Sequence, residues 1–328
     1  MVIRAAIFLL LSLSICEAAG IPPHPIVAYD DSWNEMPAAT AEAMTLASLP
    51  SYITVVDLAF VRPDLVYPGH LDITQTGLEY HASGQMVHDA IALLKSRHPG
   101  TRVLLSVGGA VYRNWSALNV DGLARLTKDL GADGVDIDFE SRMPGCNADG
   151  DGRIHCRTDE IWERIIRQIR KALPRPALLT AAVWSVGAYG EDDFRLAQPV
   201  SRYTGFMLGV LRSPAASDLD LLSIQAYDAG PRYDPLQAWR AYRSVWKGPL
   251  ALGLAVQRGG GAGPFPTEAE TEKLAQTVAA DPQDGMMIYP MLAIPDGGRG
   301  SASLPDGFGL AKAMCRGMKL TGCDSPAP

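Results

Sequence analysis

Eight short apolar segments, most of them followed by a helix-patterned stretch, recur along this chain at a spacing that few folds can absorb. The strand-like segments are residues 25–29, 53–60, 102–109, 133–140, 177–184, 218–228, 249–256 and 285–292. Residues 84–96, 118–130, 160–173, 235–246 and 268–280 place apolar side chains at helical spacing, and 304–318 closes the series. A short helix is expected after the first strand. Residues 61–76, broken by Pro63, Pro68 and Gly69, read as a long loop. This repetition predicts the α/β class: a parallel (β/α)8 TIM barrel in a single domain. A doubly wound open sheet is the alternative. It requires a glycine-rich nucleotide loop after the first strand, and the sequence has none there.

The fourth segment is the most unusual. Read with period two, Asp136, Asp138 and Glu140 share one face, while Val135, Ile137 and Phe139 share the other. Inside a sheet covered by helices, the apolar face packs under the helices and the acids face an enclosed site. Three carboxylates in one row repel one another, so at least one is expected to keep its proton at neutral pH, as a general acid must. No histidine accompanies them, which argues against a divalent metal site.

In such barrels the site lies at the C-terminal ends of the strands. The strand exits deliver Tyr29, Asp30 and Trp33, then Phe60, Ser106, Gly108 and Gly109. Later strands add Asp138, Glu140, Trp184, Gln225, Tyr227, Asp228, Gln257 and Tyr289. Aromatic rings stack on the apolar faces of sugars, while carboxylates and amides bind their hydroxyls. The set lacks the cation clusters expected for phosphate substrates. A net charge of −7, with acids spread along the chain, gives no reason to expect nucleic acid or an anionic membrane surface as a partner.

Residues 1–4 form a short basic start, 5–15 an apolar run too short to span a bilayer comfortably, and Cys16 to Gly20 a small-residue cleavage site. Residues 1–19 are therefore expected to be a secretory signal and 20–328 the mature domain, secreted or periplasmic, with no membrane span. A lipid-anchored Cys16 is the alternative. Four cysteines then remain, which suggests disulfides and leaves three possible pairings. The two local ones, Cys146–Cys156 and Cys315–Cys323, are favoured over zinc binding. Asn147, Asp149 and Asp151 have the spacing of the first ligands of a calcium loop, but Thr158 stands where a bidentate glutamate is needed. The simpler expectation is an acidic loop pinned by Cys146 and Cys156, with no cofactor.

Asp133 to Glu140 resembles the signature D-G-x-D-x-D-x-E of glycoside hydrolase family 18, the chitinase family. Ser106 to Gly109 resembles the family's S-x-G-G on the third strand. Ala59-Phe60 fits its small-aromatic pair on the second. Gln225 to Asp228 resembles the sixth-strand motif in the Q-x-Y form of plant-type and some bacterial chitinases. The matches span nearly the whole mature chain in the expected order.

The resemblance implies retaining hydrolysis in which the substrate's own acetamido group is the nucleophile. Glu140 would protonate the glycosidic oxygen and Asp138 would orient the acetamido nitrogen. Asp136 would sit deeper and share a hydrogen bond with Asp138, and Tyr227 would donate to the acetamido carbonyl. Phe60, Gly108, Trp184, Gln225, Asp228 and Tyr289 would bind substrate. The implied partner is an oligosaccharide or polysaccharide containing N-acetylglucosamine, and a monomer is expected.

Two departures bear on substrate. Tyr289 replaces the tryptophan that usually floors the sugar site, and Ser141-Arg142 replaces the frequent Tyr-Pro after the acid motif. The resemblance thus leaves three functions open: a chitinase, an endo-β-N-acetylglucosaminidase acting on N-glycans or peptidoglycan, and a lectin that binds chitin oligosaccharides without cleaving them.

Overall fold

The computed structural model describes residues 20–230, 232–257, 262–295 and 305–325. The expected signal segment 1–19 lies outside them. Eight parallel strands close into a barrel: β1 (Ile26–Asp31), β2 (Val55–Val61), β3 (Arg102–Gly108), β4 (Gly134–Asp138), β7 (Leu178–Trp184), β8 (Leu221–Gln225), β9 (Leu250–Ala255) and β10 (Asp284–Tyr289). Closure comes from β10 pairing with β1, with Ile26 opposite Met286. Two further strands, β5 (Cys146–Ala148) and β6 (Ile154–Cys156), form an antiparallel hairpin between β4 and the next helix.

The helices lie outside the barrel: α1 (Gly84–Arg97), α2 (Val120–Asp129), α3 (Asp159–Ala172), α4 (Leu208–Arg212), α5 (Pro235–Val245), α6 (Glu268–Val278) and α7 (Gly307–Gly317). In α3, Trp162, Ile165, Ile166 and Ile169 are buried along one stripe, which is the face laid on the sheet. Its first turn carries Asp159 and Glu160 and its last Arg170 and Lys171, matching the helix dipole at both ends. In α6, Thr267 and Glu270 satisfy each other's backbone N–H groups in a capping box. The segment after β1 holds three short 3-10 helices, 32–34, 41–43 and 45–48, in place of the expected helix.

Strand periodicity divides the core into two layers. Outward residues such as Val56, Leu58, Val135 and Ile137 pack under the helices. Inward residues such as Tyr29, Leu104, Ala182, Leu221, Tyr227 and Met287 fill the barrel. Burying each large apolar side chain contributes about 1.5–3 kcal/mol.

Both expected disulfides form. Cys146 and Cys156 lie directly opposite each other in the β5–β6 ladder, and Cys315–Cys323 ties α7 to the tail beyond it. The acidic loop is thus an ordered hairpin. Asp149 Oδ1 accepts the backbone N–H of Asp151 and of Arg153, which turns the chain between the strands. Asn147 donates to the Gly145 carbonyl. Within the calcium-like spacing, Asp149 thus serves the turn.

Asp30, on the outer side of β1, is fully buried and accepts a hydrogen bond from the Tyr80 hydroxyl. Burial and the neighbouring Glu35 push its carboxyl up to about 8, against the smaller opposing effect of Tyr80. The folded protein thus holds a proton that the unfolded chain releases near 3.8, so stability falls as pH rises from about 4 to about 8. Asp30→Asn keeps an acceptor for Tyr80 and removes the ionisation. We expect its melting temperature to exceed the wild-type value by an amount that grows across that window. Thermal denaturation at several pH values would show this, and an offset independent of pH would refute it.

Candidate active site

The inward face of β4 delivers the acids. Asp136 is fully buried and accepts three hydroxyl donors: Tyr29 at 2.9 Å, Ser106 at 2.8 Å and Thr180 at 2.8 Å. These come from β1, β3 and β7. Barrel register brings them together, since Ser106 and Thr180 flank Asp136 on the two strands that pair with β4. Burial raises the Asp136 carboxyl, and the three hydroxyls oppose that shift by stabilising its ionised form.

Asp138 lies on the same inward face of β4. Its Oδ1 accepts from the Gln225 amide at 3.2 Å, and the same nitrogen lies 3.4 Å from Glu140 Oε1. The expected hydrogen bond between Asp136 and Asp138 is not among those of the described residues. The hydroxyls of Tyr29, Ser106 and Thr180 take up Asp136, while Gln225 links Asp138 to Glu140. Burial, then Glu140, then Asp136 hold the Asp138 carboxyl well above the usual carboxylate range. Burial also raises Glu140, against the Gln225 amide and the charge of Arg113. Asp138 and Glu140 are thus a close pair of acids, both held above their usual range.

Above them lies a cleft of about 250 Å³. Its walls are Tyr29, Phe60, Ala110, Asp138, Glu140, Trp184, Ser185, Gln225, Tyr227, Asp228 and Tyr289. Tyr227 and Tyr289 stack with ring centroids 5.8 Å apart and planes 14° apart. Tyr29 meets Tyr289 edge-on, and Phe60 stacks on Trp33. The floor is therefore a set of mutually packed aromatics, with Tyr289 where one large ring was expected. Burial and the neighbouring Tyr289 push the Tyr227 hydroxyl well above its usual range, so it stays a donor.

Of the expected binding residues, Gly108 lies outside the cleft wall, while Trp184 and Asp228 line it and have further contacts. Gly108 is buried behind the wall. A Cβ there would sit 2.2 Å from the Asp138 carbonyl oxygen and 2.6 Å from the Trp115 ring, so the glycine permits β3 to approach the end of β4. Trp184 lines the cleft, but one face is covered by Tyr203, whose centroid is 3.7 Å away. Asp228 is exposed at the mouth and accepts the backbone N–H of Ala262, bracing the loop after β9.

The sequence reading missed two features. Thr180 carries no motif and is found only through register. Asp57 is buried inside the barrel, and its Oδ1 has no hydrogen-bond partner. Burial and the charges of Asp136 and Asp138 hold it well above the usual carboxylate range. One acid within the apolar run 53–60 was the available signal.

A closed parallel barrel with clustered acids and stacked aromatics at the C-terminal ends of its strands has its candidate site where such barrels carry their active sites. The sequence profile of glycosyl hydrolases family 18 matches residues 25–246. The chain belongs to that family. It is 26% identical over 235 residues to exochitinase 1 of Streptomyces olivaceoviridis, a match covering 65% of this chain and 37% of the relative. It is 30% identical over 155 residues to a chitinase of Plasmodium falciparum (isolate 3D7), covering 44% of this chain and 39% of that protein. The chain thus matches less than two fifths of the length of these relatives. The fold resembles that of a family 18 chitinase from Chromobacterium violaceum, with a TM-score of 0.62 at 15% identity, over 92% of this chain and 86% of that one.

Proposed function

We propose that the protein is an exported chitinase-like hydrolase that cleaves β-1,4 links beside N-acetylglucosamine with retention of configuration. The observation that carries this reading is the pairing of Glu140 with Asp138 through Gln225, beneath a cleft walled by Tyr227. The chitinase names of the two relatives support the substrate class. The two disulfides support an oxidising, extracytoplasmic setting. No helix among the described residues is long and apolar enough to cross a membrane.

In this mechanism Glu140 gives its proton to the glycosidic oxygen as the bond breaks. The acetamido carbonyl oxygen of the same sugar attacks the anomeric carbon, and positive charge spreads over an oxazolinium ring. Asp138 bonds the acetamido N–H and stabilises that charge, with Asp136 below it. Tyr227 donates to the acetamido carbonyl and holds it in line. Glu140 then takes a proton from the water that opens the ring. The protein supplies no covalent nucleophile, so carboxylate separation does not predict the stereochemistry here.

The test is a panel of defined glycans (chitin oligomers, N-glycans and muropeptides) analysed for products by mass spectrometry. No product from any of them, alongside binding of chitotetraose, would make the protein a lectin and end the proposal. Tyr227→Phe removes one positioned donor and is expected to lower kcat about 100-fold with a smaller change in KM. Steady-state kinetics on chitotetraose would show it, and an unchanged kcat would remove Tyr227 from the mechanism.

A further inference from the structure

Side chains inside a closed parallel barrel stack in layers of four, drawn from alternate strands. A level advances by about one residue per strand around the barrel, so every second strand contributes the residue two beyond its paired position. Asp57 lies opposite Leu104, and Leu104 opposite Gly134, which puts Asp136 level with Asp57. The same step through Thr180 and Leu221 reaches Ser223, and through Ala251 and Gly285 it reaches Met287. One pleat higher, the same four strands carry Ala59, Asp138, Gln225 and Tyr289. The hydrogen bond from Gln225 to Asp138 lies within that upper layer.

Asp57 is therefore a third carboxyl beneath the site, and it is only 1% exposed. Tyr29 and Ser106 stand on the two strands beside it, yet both donate to Asp136 Oδ2, while Thr180 donates to Asp136 Oδ1. Asp57 Oδ1 has no hydrogen-bond partner. The titratable groups facing Asp57 are Tyr29 of β1 and Asp136 and Asp138 of β4. Leu104, Ser106, Ser223 and Met287 bring no charge. Arg170, the one buried cation among the described residues, pairs with Asp220. Of two carboxyls on one level, three hydroxyl donors favour the ionised form of Asp136, and the lack of any donor leaves the proton to Asp57. A carboxylate oxygen accepts about two hydrogen bonds, and Asp136 Oδ1 has one, from Thr180.

Resting on the hydrolase reading above, we infer that Asp57 is a positioning residue of the reaction: a neutral acid whose buried O–H donates to Asp136 and holds it ionised beneath Asp138. The proton stays between these two carboxyls and never passes to the sugar, so no bond of the substrate changes at Asp57. Its effect is to keep negative charge one pleat below the carboxyl that meets the acetamido group, where the oxazolinium charge develops. Hydrogen bonds that favour an ionised carboxyl lower the pH at which its charge forms.

The experiment compares wild type, Asp57→Asn and Asp57→Leu by infrared spectroscopy and by the pH dependence of kcat/KM on chitotetraose. At neutral pH the difference between wild type and Asp57→Asn is expected to contain the C=O stretch of a protonated carboxyl. Carboxylate bands in its place would put a charge on Asp57 and overturn the inference, whether or not Asp57→Leu folds. Asp57→Asn keeps an N–H donor for Asp136, so the acid limb of its profile is expected to stay where it is in wild type. Asp57→Leu removes the donor, and its acid limb is expected to move up by about one pH unit. A uniform fall in kcat/KM at every pH, with the limb unmoved in Asp57→Leu, would reduce Asp57 to packing, overturning the inference and leaving the hydrolase reading standing. No cleavage of chitotetraose or of any other glycan in the panel by wild type removes both.

Discussion

Glu140→Gln is expected to lower hydrolysis of chitotetraose by at least about 1000-fold while leaving its binding nearly intact. The substitution keeps side-chain size and an oxygen for the Gln225 amide, which lies 3.4 Å away in the wild type. What it removes is the transferable proton. The leaving sugar would then depart as an alkoxide. In the proposed mechanism Asp138 is engaged with the acetamido group, and Asp136 already accepts from three hydroxyls. Neutralising Glu140 also relieves its repulsion of Asp138, which favours binding if it changes it at all. Product analysis by mass spectrometry and calorimetric titration with chitotetraose would separate the two effects. Turnover within tenfold of wild type would assign the acid elsewhere.

Gly108→Ala is expected to cost roughly 2–4 kcal/mol of stability and, in the molecules that fold, about 100-fold in activity. The added methyl would stand 2.2 Å from the Asp138 carbonyl oxygen, a backbone atom that cannot swing aside. Gly108 also has φ +113°, where an L residue is strained even in open space. Relief requires β3 and the end of β4 to separate. That separation would break the bond from the Gly109 N–H to the Asp138 carbonyl, 2.9 Å in the native fold. Asp138 and Glu140 would then move relative to Tyr227, which is anchored on another strand. Urea denaturation and steady-state kinetics on the same preparation would test both halves. A stable variant with normal kcat would show that the glycine is not needed for this contact.

The barrel was legible because its determinants are local. Alternating side chains mark a strand, 3.6-residue spacing marks a helix, and eight repeats of the pair leave little choice but closure. Gly108 and Gly109 stood out by composition, but their purpose did not: the sequence reading placed Gly108 against substrate, and the structure places it against Asp138. Residues 146–156 read as a loop because their strands are three residues each, too short for periodicity to register. The same short turn drew a calcium-like spacing that Asp149 uses for backbone N–H groups.

By itself the sequence determined the strand order, the row Asp136, Asp138, Glu140 on one face, the family resemblance and the cysteine pairs it favoured. Each of these depends on residues close together in the chain or on the order of segments. Only the tertiary structure decided how the acids divide. Closing the barrel brings Tyr29, Ser106 and Thr180 around Asp136, and Gln225 between Asp138 and Glu140. These partners lie 30 to 107 residues from the acids they touch. The physical reason is register: strand pairing sets which side chains share a layer inside the barrel, and the charge state of a buried carboxyl follows from those neighbours.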